Sequence, residues 1–319
     1  MTVREPKRYR TLRAYLDERF PFPVRKVPLD AGFTCPTRDG TIRAGGCLYC
    51  YSRGPRVSAQ EPLMPLADQV RHGLERIRRK DSITRGLAYF QPYTNTYAPV
   101  EELKRIYEEA LEVDGIVGLS VGTRPDCVDE EVLNLLEDIA TDHEVWLEMG
   151  LQTVHDERLE LMGRGHTSKQ WAEAVEAAAG RGLHQVTHLI LGLPGEGLAE
   201  SLETVEAIAS HPVDGVKLHH LMVFDDTELA VMWRRRHFPL ITAEAYIETV
   251  VAVLEHLPPE LVMHRIVAEA SPWERLLAPR WRQSKEEILV AIDAEMVRRG
   301  TRQGAKMSQK KRSGERNAG

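Results

Sequence analysis

The chain of 319 residues has no long apolar segment, and this absence excludes several classes of protein. No run of 18 or more apolar residues occurs, so we expect no membrane-spanning helix. The first twenty residues, MTVREPKRYRTLRAYLDERF, are charged throughout and lack the apolar region of a signal peptide. We therefore expect a cytoplasmic protein, in which thiols stay reduced and cysteines serve metal binding or catalysis rather than disulfides.

Aromatic residues are also scarce, at 6%, and the net charge of −6 is modest but unevenly distributed. Residues 298–319 contain eight Lys and Arg against one Glu, which leaves the rest of the chain strongly acidic. This basic, apolar-poor segment is predicted to be a disordered tail. It either contacts the phosphates of a nucleic acid or is simply a solvated terminus.

Short apolar segments alternate with helical segments along most of the chain. Strands are predicted at 26–33, 86–91, 115–122, 145–151, 186–193 and 215–223, as continuous apolar runs typical of a parallel sheet buried on both faces. Helices are predicted at 65–80, 98–112, 129–140, 167–182, 197–211 and 242–257, with Thr167 and Thr242 as N-caps. Six strand–helix units predict a parallel α/β architecture, either a doubly wound sheet or an incomplete barrel.

The loops that follow the predicted strands are rich in polar residues and glycine. A cysteine-containing loop follows the first strand, and QPYTNTYAP, GTRPD, QTVHDERL and GLPGE follow the next four. In parallel α/β folds these loops lie together at the carboxyl edge of the sheet and form the active site. GLPGE is too short and lacks the lysine of a phosphate-binding loop, so a nucleotide-binding enzyme of that type is not indicated.

The predicted organisation has three parts. Residues 1–257 form the α/β unit, with 1–24 as a lead-in. Residues 258–297 form a C-terminal extension that packs on it, and 298–319 form the basic tail.

Three of the four cysteines fall in CPTRDGTIRAGGCLYC, as Cys35, Cys47 and Cys50 with spacing C-x11-C-x2-C. A structural zinc site needs a fourth ligand, for which the distant Cys127 is available; the protein would then be a zinc-stabilised, non-catalytic binding module. A 4Fe–4S cluster fits the three thiols better, because one iron then stays open for a small molecule. Glycines in the loop let its backbone wrap closely around such a cluster. On this interpretation Cys127 is structural.

Longer segments carry a family resemblance. They are PLDAGFTCPTRDG, CLYC, YFQPYTNTYAPVEEL, LEMGLQTVHDERLELMGRGHT and HLILGLPGE. With them the chain, over about residues 8–297, resembles radical S-adenosylmethionine (radical SAM) enzymes. It is most similar to a bacterial subgroup of uncharacterised proteins related to the elongator catalytic subunit. The first cysteine gap is longer than in the commonest C-x3-C-x2-C form and is a mark of that subgroup.

The resemblance implies a partial (β/α)6 TIM-like barrel with a C-terminal extension, together with a 4Fe–4S cluster on Cys35, Cys47 and Cys50. It also implies reductive cleavage of S-adenosylmethionine to a 5′-deoxyadenosyl radical, which abstracts a substrate hydrogen. The electron would come from an external donor of the flavodoxin or ferredoxin type.

The resemblance also assigns residues to S-adenosylmethionine: Tyr49, Gln91, Asn95, Thr123, Glu148, Gln152 and Arg164. Arg164 would pair with the carboxylate, Gln152 with the ribose, and Tyr49 would cover the adenine or serve in packing. Thr123 and its neighbour Arg124 would contact the sugar or the substrate. Glu148 either joins them or points into the barrel and pairs with a buried base. Gln91 and Asn95 stand where many relatives have a GGE-like stretch for the amino group, which is absent here.

Histidines form a further group of candidates. His219 and His220 end the sixth predicted strand, where side chains alternate, so one of the two should point inward. His264 and Arg265 begin the C-terminal extension. The histidines are candidates for substrate contact or acid–base work, with a role as core histidines as the alternative.

Two substrate classes stay open. The resemblance, the basic tail and the Arg-rich ERIRRK segment (75–80) favour RNA, specifically a wobble uridine side chain of tRNA. The acidic body of the chain favours a small metabolite or a protein side chain.

Overall fold

Seven parallel strands curl into a partial barrel in the computed structural model, which describes residues 7–51, 64–271 and 274–307. The strands of these residues are β1 Val24–Leu29, β2 Arg85–Phe90, β3 Ile116–Thr123, β4 Glu144–Gln152, β5 His184–Leu191, β6 Gly215–His220, β7 Val223–Phe224, β8 Val262–Arg265 and β9 Leu276–Ala278. The parallel sheet runs β1-β2-β3-β4-β5-β6-β8, while β7 and β9 form a separate antiparallel pair. The partial barrel predicted from the sequence is therefore confirmed.

The sheet contains one strand more than the six predicted. β8 pairs in parallel with β6, with Lys217 beside Arg265, so the barrel sheet continues past residue 257 into the predicted extension. The sequence Val262–Arg265 is only four residues long and ends in His264 and Arg265. It therefore gives neither the length nor the continuous apolar run that identified the other strands.

Helices cover the outer face of the sheet and follow from apolar residues at helical spacing. They are α1 Leu12–Arg19, α2 Leu66–Asp81, α3 Val100–Leu111, α4 Glu130–Ala140, α5 Asp156–Leu161, α6 Ser168–Ala178, α7 Leu198–Ile208, α8 Glu228–Arg234, α9 Ala243–His256 and α10 Lys285–Arg298. In α3 the buried positions Leu103, Ile106, Tyr107 and Ala110 form one stripe against the sheet. Thr167 and Thr242 accept hydrogen bonds from backbone amides in the first turns of α6 and α9, as predicted for N-caps.

The segment after α10 is ordered where it is described. Gln303 is buried, and its side-chain amide donates to the carbonyls of Pro258 (2.6 Å) and Leu261 (2.9 Å). Lys306 forms an ion pair of 2.6 Å with the buried Glu255. The prediction of a disordered tail from residue 298 is therefore wrong for residues 298–307. Polar residues of this segment form hydrogen bonds with backbone groups of residues 255–261. Amino-acid composition alone does not reveal such a role. Residues 308–319 lie outside the described residues.

Two basic segments are placed far from the carboxyl edge of the sheet. α2 lies between β1 and its parallel neighbour β2, so its ERIRRK end returns to the amino edge. The backbone amide of Lys306 donates to the carbonyl of Glu255, near the end of α9. The chain then enters β8, so Lys306 also lies near the amino edge of the sheet. Across the described ranges, no helix has both the length and the apolar character needed to cross a membrane.

Candidate active site

A cavity of about 340 Å³ opens at the carboxyl edge of the barrel, where the loops after the strands meet. Its lining includes most of the residues predicted from the sequence: Cys35, Cys47, Tyr49, Cys50, Gln91, Thr123, Gln152 and Arg164. The loop after β1 brings the cysteines, β3 and β4 bring Thr123 and Gln152, and the loop after α5 brings Arg164.

The eleven residues between Cys35 and Cys47 fold back as a short hairpin. Asp39 and Ala44 form an antiparallel bridge, and the amide of Gly46 donates to the carbonyl of Thr37 at 2.7 Å. This return brings the two cysteines to the same cavity, with the Thr37 hydroxyl 3.1 Å from the Cys35 sulfur and 3.9 Å from the Cys47 sulfur. The eleven-residue gap therefore forms the hairpin that brings Cys35 and Cys47 together.

Hydrogen-bond donors surround the three sulfurs. Arg38 Nη1 lies 3.5 Å from the Cys50 sulfur, and Arg164 Nη1 lies 3.5 Å from the Cys47 sulfur. Burial would raise the pKa of Cys35, but hydrogen bonds from the hydroxyls of Thr37 and Thr94 outweigh it and lower that pKa. Burial and the neighbouring Cys47 instead raise the pKa of Cys50 to about 11. A positive centre bound between the cysteines would favour their thiolate forms.

Arg164 is buried and fixed from several sides. Its Nη2 donates to the carbonyl of Gly150 at 2.7 Å, and its Nε donates to His166 at 3.1 Å. The glycines on either side have φ of +67° and +70°, and a Cβ on Gly163 would lie 1.8 Å from Arg43 of the cysteine hairpin. The Gly-Arg-Gly sequence is therefore required for this loop to lie against the cysteine loop with its guanidinium inward.

Polar groups of the lining that lack protein partners point to a bound ligand. The hydroxyl of Tyr49 and Nη1 of Arg124 are buried without a hydrogen-bond partner among the described residues. Gln152 has φ of +80°, a strained conformation for a residue other than glycine, at the end of β4. These groups lie in the cavity beside the cysteines, where polar parts of a cofactor could bind.

The three cysteines line one cavity and could together hold a metal centre. Within the described part of the chain, no three cysteine, histidine or acidic side chains converge on one point as a single ion requires. Three thiolates around a polar cavity instead fit a 4Fe–4S cluster, in which each thiolate binds a different iron. The donors from Arg38, Thr37 and Arg164 suit such a cluster, because hydrogen bonds to the sulfurs tune it.

Comparison with known proteins shows the family of the chain. The model of the radical SAM superfamily matches residues 44–208, and the model of the Radical_SAM C-terminal domain matches residues 213–298. The chain belongs to the radical SAM superfamily. It is 40% identical over 291 residues to protein YhcC of Escherichia coli, covering 91% of this chain and 93% of that one. It is a radical SAM enzyme whose close relatives include uncharacterised proteins.

Two more distant matches cover only part of the length of the matched proteins. A tRNA uridine(34) acetyltransferase of Methanocaldococcus infernus is 32% identical over 155 residues, which cover 47% of this chain and 28% of that one. The structure of the Methanocaldococcus infernus Elp3 with an N-terminal deletion superimposes with a TM-score of 0.67 at 21% identity, covering 88% of this chain and 64% of that one. The structural likeness shows the radical SAM fold, and this chain spans less than two thirds of the Elp3 chain.

Two of the residues predicted to bind the cofactor, Asn95 and Glu148, do not line the cavity. The side-chain amide of Asn95 donates to the carbonyls of Phe90 (3.1 Å) and Gly122 (2.7 Å), so it joins β2 to β3. Glu148 points into the barrel, as its alternative interpretation had it, and contacts Lys26, Ser120, His188 and Lys217. The carboxylate is buried, and both of its oxygens contact these partners.

The histidines follow the predicted alternation. His219 faces the barrel interior, 6.2 Å between ring centroids from His188. His220 faces outward against Tyr246 of α9 and Trp281. His264 lies in the interior, with Nδ1 3.0 Å from Lys26. Cys127 does not line the cavity. Burial raises the pKa of its thiol to about 12.

The polar lining residues that escaped the sequence reasoning include Thr37, Arg38 and His188. Thr37 and Arg38 lie inside the cysteine motif but are ordinary surface residue types, so nothing marked them. His188 lies on β5 in the apolar run VTHLILGL, and a polar residue within a buried strand is a usable signal. Lys26 and Lys217 give the same signal in β1 and β6.

Proposed function

We propose that this protein binds a 4Fe–4S cluster through Cys35, Cys47 and Cys50, binds S-adenosylmethionine beside it, and acts on a uridine side chain of tRNA. One observation carries the proposal: three sulfurs with their own hydrogen-bond donors open onto the same cavity as the buried Arg164. When bound, the cluster supplies the electron that cleaves the sulfonium C–S bond and yields a 5′-deoxyadenosyl radical. An external flavodoxin or ferredoxin would deliver that electron.

The side chains of the cavity have separate tasks in this proposal. Arg164 offers a guanidinium to the carboxylate of S-adenosylmethionine, while its bond to the Gly150 carbonyl fixes its orientation. Gln152, Thr123 and the free hydroxyl of Tyr49 supply polar contacts for the ribose and adenine. Gln91 lies in the lining, where it is the predicted candidate for the amino group.

The choice of tRNA rests on likeness and charge. A relative that matches about half of this chain bears the name tRNA uridine(34) acetyltransferase, and residues 308–319 add four basic residues to one acidic residue. The ERIRRK end of α2 lies at the amino edge of the sheet, opposite the cavity, so it does not contribute to recognition near the reacting centre. A small metabolite or a protein side chain is the alternative substrate, favoured by the acidic body of the chain.

Anaerobic reconstitution tests the cofactor half of the proposal. We expect about four irons and four sulfides per chain and formation of 5′-deoxyadenosine after reduction. Cys35→Ala, Cys47→Ala and Cys50→Ala should each abolish the iron content, because the proposed cluster has these three protein ligands and no spare one. Cys127→Ala is the matched control and should bind iron as the wild type does. A colourless protein with one zinc would establish the non-catalytic binding module instead.

Binding of tRNA at fixed salt tests the substrate half. The full chain should bind tRNA, and deletion of 308–319 should weaken binding and flatten its dependence on salt. The deletion begins at 308 because Gln303 and Lys306 hold the end of the chain on the body. If neither form binds tRNA above background, the RNA hypothesis must be abandoned for the metabolite or protein substrate.

A further inference from the structure

One charged side chain of the cavity has no counter-ion among the residues that the structure describes. Arg265 ends β8, lines the cavity, and contacts the imidazole of His219. Burial, together with Arg265 itself, keeps the pKa of His219 well below its usual value, so this partner is neutral. Nε of Arg265 is buried without a hydrogen-bond partner among the described residues, and no carboxylate of those residues lies within ion-pair distance of its guanidinium.

The surrounding charges do not compensate for it. Glu148 lies in the same interior but is already shared between Lys26 and Lys217. Two carboxylates line the cavity, and each has a partner of its own: Glu269 pairs with the Lys285 ammonium (3.8 Å), and Glu274 accepts a hydrogen bond from the Ser271 backbone amide.

The cluster of Lys26, Lys217, Arg265 and Glu148 therefore holds three basic side chains against one acidic side chain. Arginine stays protonated in proteins even where burial lowers its pKa. A buried guanidinium without an anion is unfavourable unless a ligand supplies one.

The position of Arg265 separates it from the cofactor arginine. Arg164 contacts the Cys47 sulfur and the end of β4, whereas Arg265 extends β8, with β5 and β6 between β4 and β8 in the sheet. We propose that Arg265, with His219 beside it, receives an anionic group of the substrate, a carboxylate or a phosphate, on the β6–β8 side of the cavity. This inference rests on the proposed function, since it takes the other side of the cavity to be the cofactor site.

Calorimetry on the protein without its cluster tests the inference. The probes are uridine, uridine 5′-monophosphate and uridine with a carboxymethyl group on C5, which differ in carrying no anion, a phosphate or a carboxylate. We expect at least one anionic probe to bind tenfold or more tightly than uridine, and the tighter of the two identifies the anion. Arg265→Gln should bring that probe to the level of uridine, and Arg265→Lys should restore part of the difference. Equal affinity of the three probes, or no change in Arg265→Gln, would overturn the inference.

A second readout separates ligand binding from a structural role. Because no carboxylate in the described ranges pairs with Arg265, Arg265→Gln should unfold at the same temperature as the wild type or higher. Arg280→Gln, at an exposed arginine just after β9, is the matched control and should change neither probe affinity nor unfolding temperature. A clear fall in the unfolding temperature of Arg265→Gln would show that Arg265 holds the fold and would contradict the proposal. Neither readout needs the cluster, so a failure of iron binding leaves this test intact.

Discussion

Glu148 and Arg265 lie in the interior of one barrel, yet their surroundings differ. The Glu148 carboxylate meets two ammonium groups, a serine hydroxyl and the His188 imidazole, with Lys217 at 2.9 Å and His188 at 2.7 Å. Arg265 meets a neutral imidazole and, among the described residues, no acid. Both are charges that burial opposes, but the side chains of the described ranges neutralise Glu148 and not Arg265. The difference indicates that Glu148 belongs to the scaffold and Arg265 to a binding site.

The largest expected effect is on the neutralised charge. Burial alone would raise the pKa of Glu148, but Lys217 and Lys26 outweigh it and hold this pKa well below its usual value. Glu148→Gln removes the anion and leaves the lysines of β1 and β6 facing each other across the interior. We expect a loss of about 3–5 kcal/mol in the free energy of unfolding, as for other broken buried pairs. Urea denaturation at pH 7 measures it.

Glu176→Gln is the matched control, because Glu176 is exposed on α6. It should change the free energy of unfolding by no more than about 0.5 kcal/mol. A loss below about 1 kcal/mol for Glu148→Gln would show that the interior charges are not fixed by this carboxylate, and the contrast with Arg265 would disappear.

The next effect concerns three buried histidines, one each on β5, β6 and β8. Burial lowers the pKa of His188 and of His220 to about 4, and that of His264 to about 3. In the unfolded chain each of them takes up a proton near pH 6.5. The unfolded state therefore binds more protons than the native state between about pH 6.5 and 4, and stability should fall as the pH drops through this window.

His220→Gln isolates one of these histidines. The variant should lose about 1–2 kcal/mol less than the wild type on going from pH 6.5 to pH 5. His237→Gln, at an exposed histidine, should follow the wild type. Urea denaturation at both pH values checks the result, and parallel profiles for His220→Gln and the wild type would contradict it.

The barrel could be predicted because strands buried on both faces leave continuous apolar runs, and the cysteine loop could be found because three thiols so close together suit few sites. β8 could not, since Val262–Arg265 is short and half polar. The contrast between Glu148 and Arg265 could not be predicted either. Which carboxylate reaches which cation depends on how the sheet curls, as the short contact between Lys26 of β1 and His264 of β8 shows.

The smallest expected effect comes from a cation of the same cluster. Burial lowers the pKa of Lys217 to about 7, so its charge is only weakly held at neutral pH. Lys217→Met keeps much of the side-chain volume and leaves Glu148 with Lys26, Ser120 and His188 as partners. We expect a change within about 1 kcal/mol in the free energy of unfolding, because replacing a surplus buried charge by an apolar residue is often neutral. If urea denaturation showed Lys217→Met to be as damaging as Glu148→Gln, the interior would hold no surplus of positive charge. The main argument that Arg265 binds an anion would then fail.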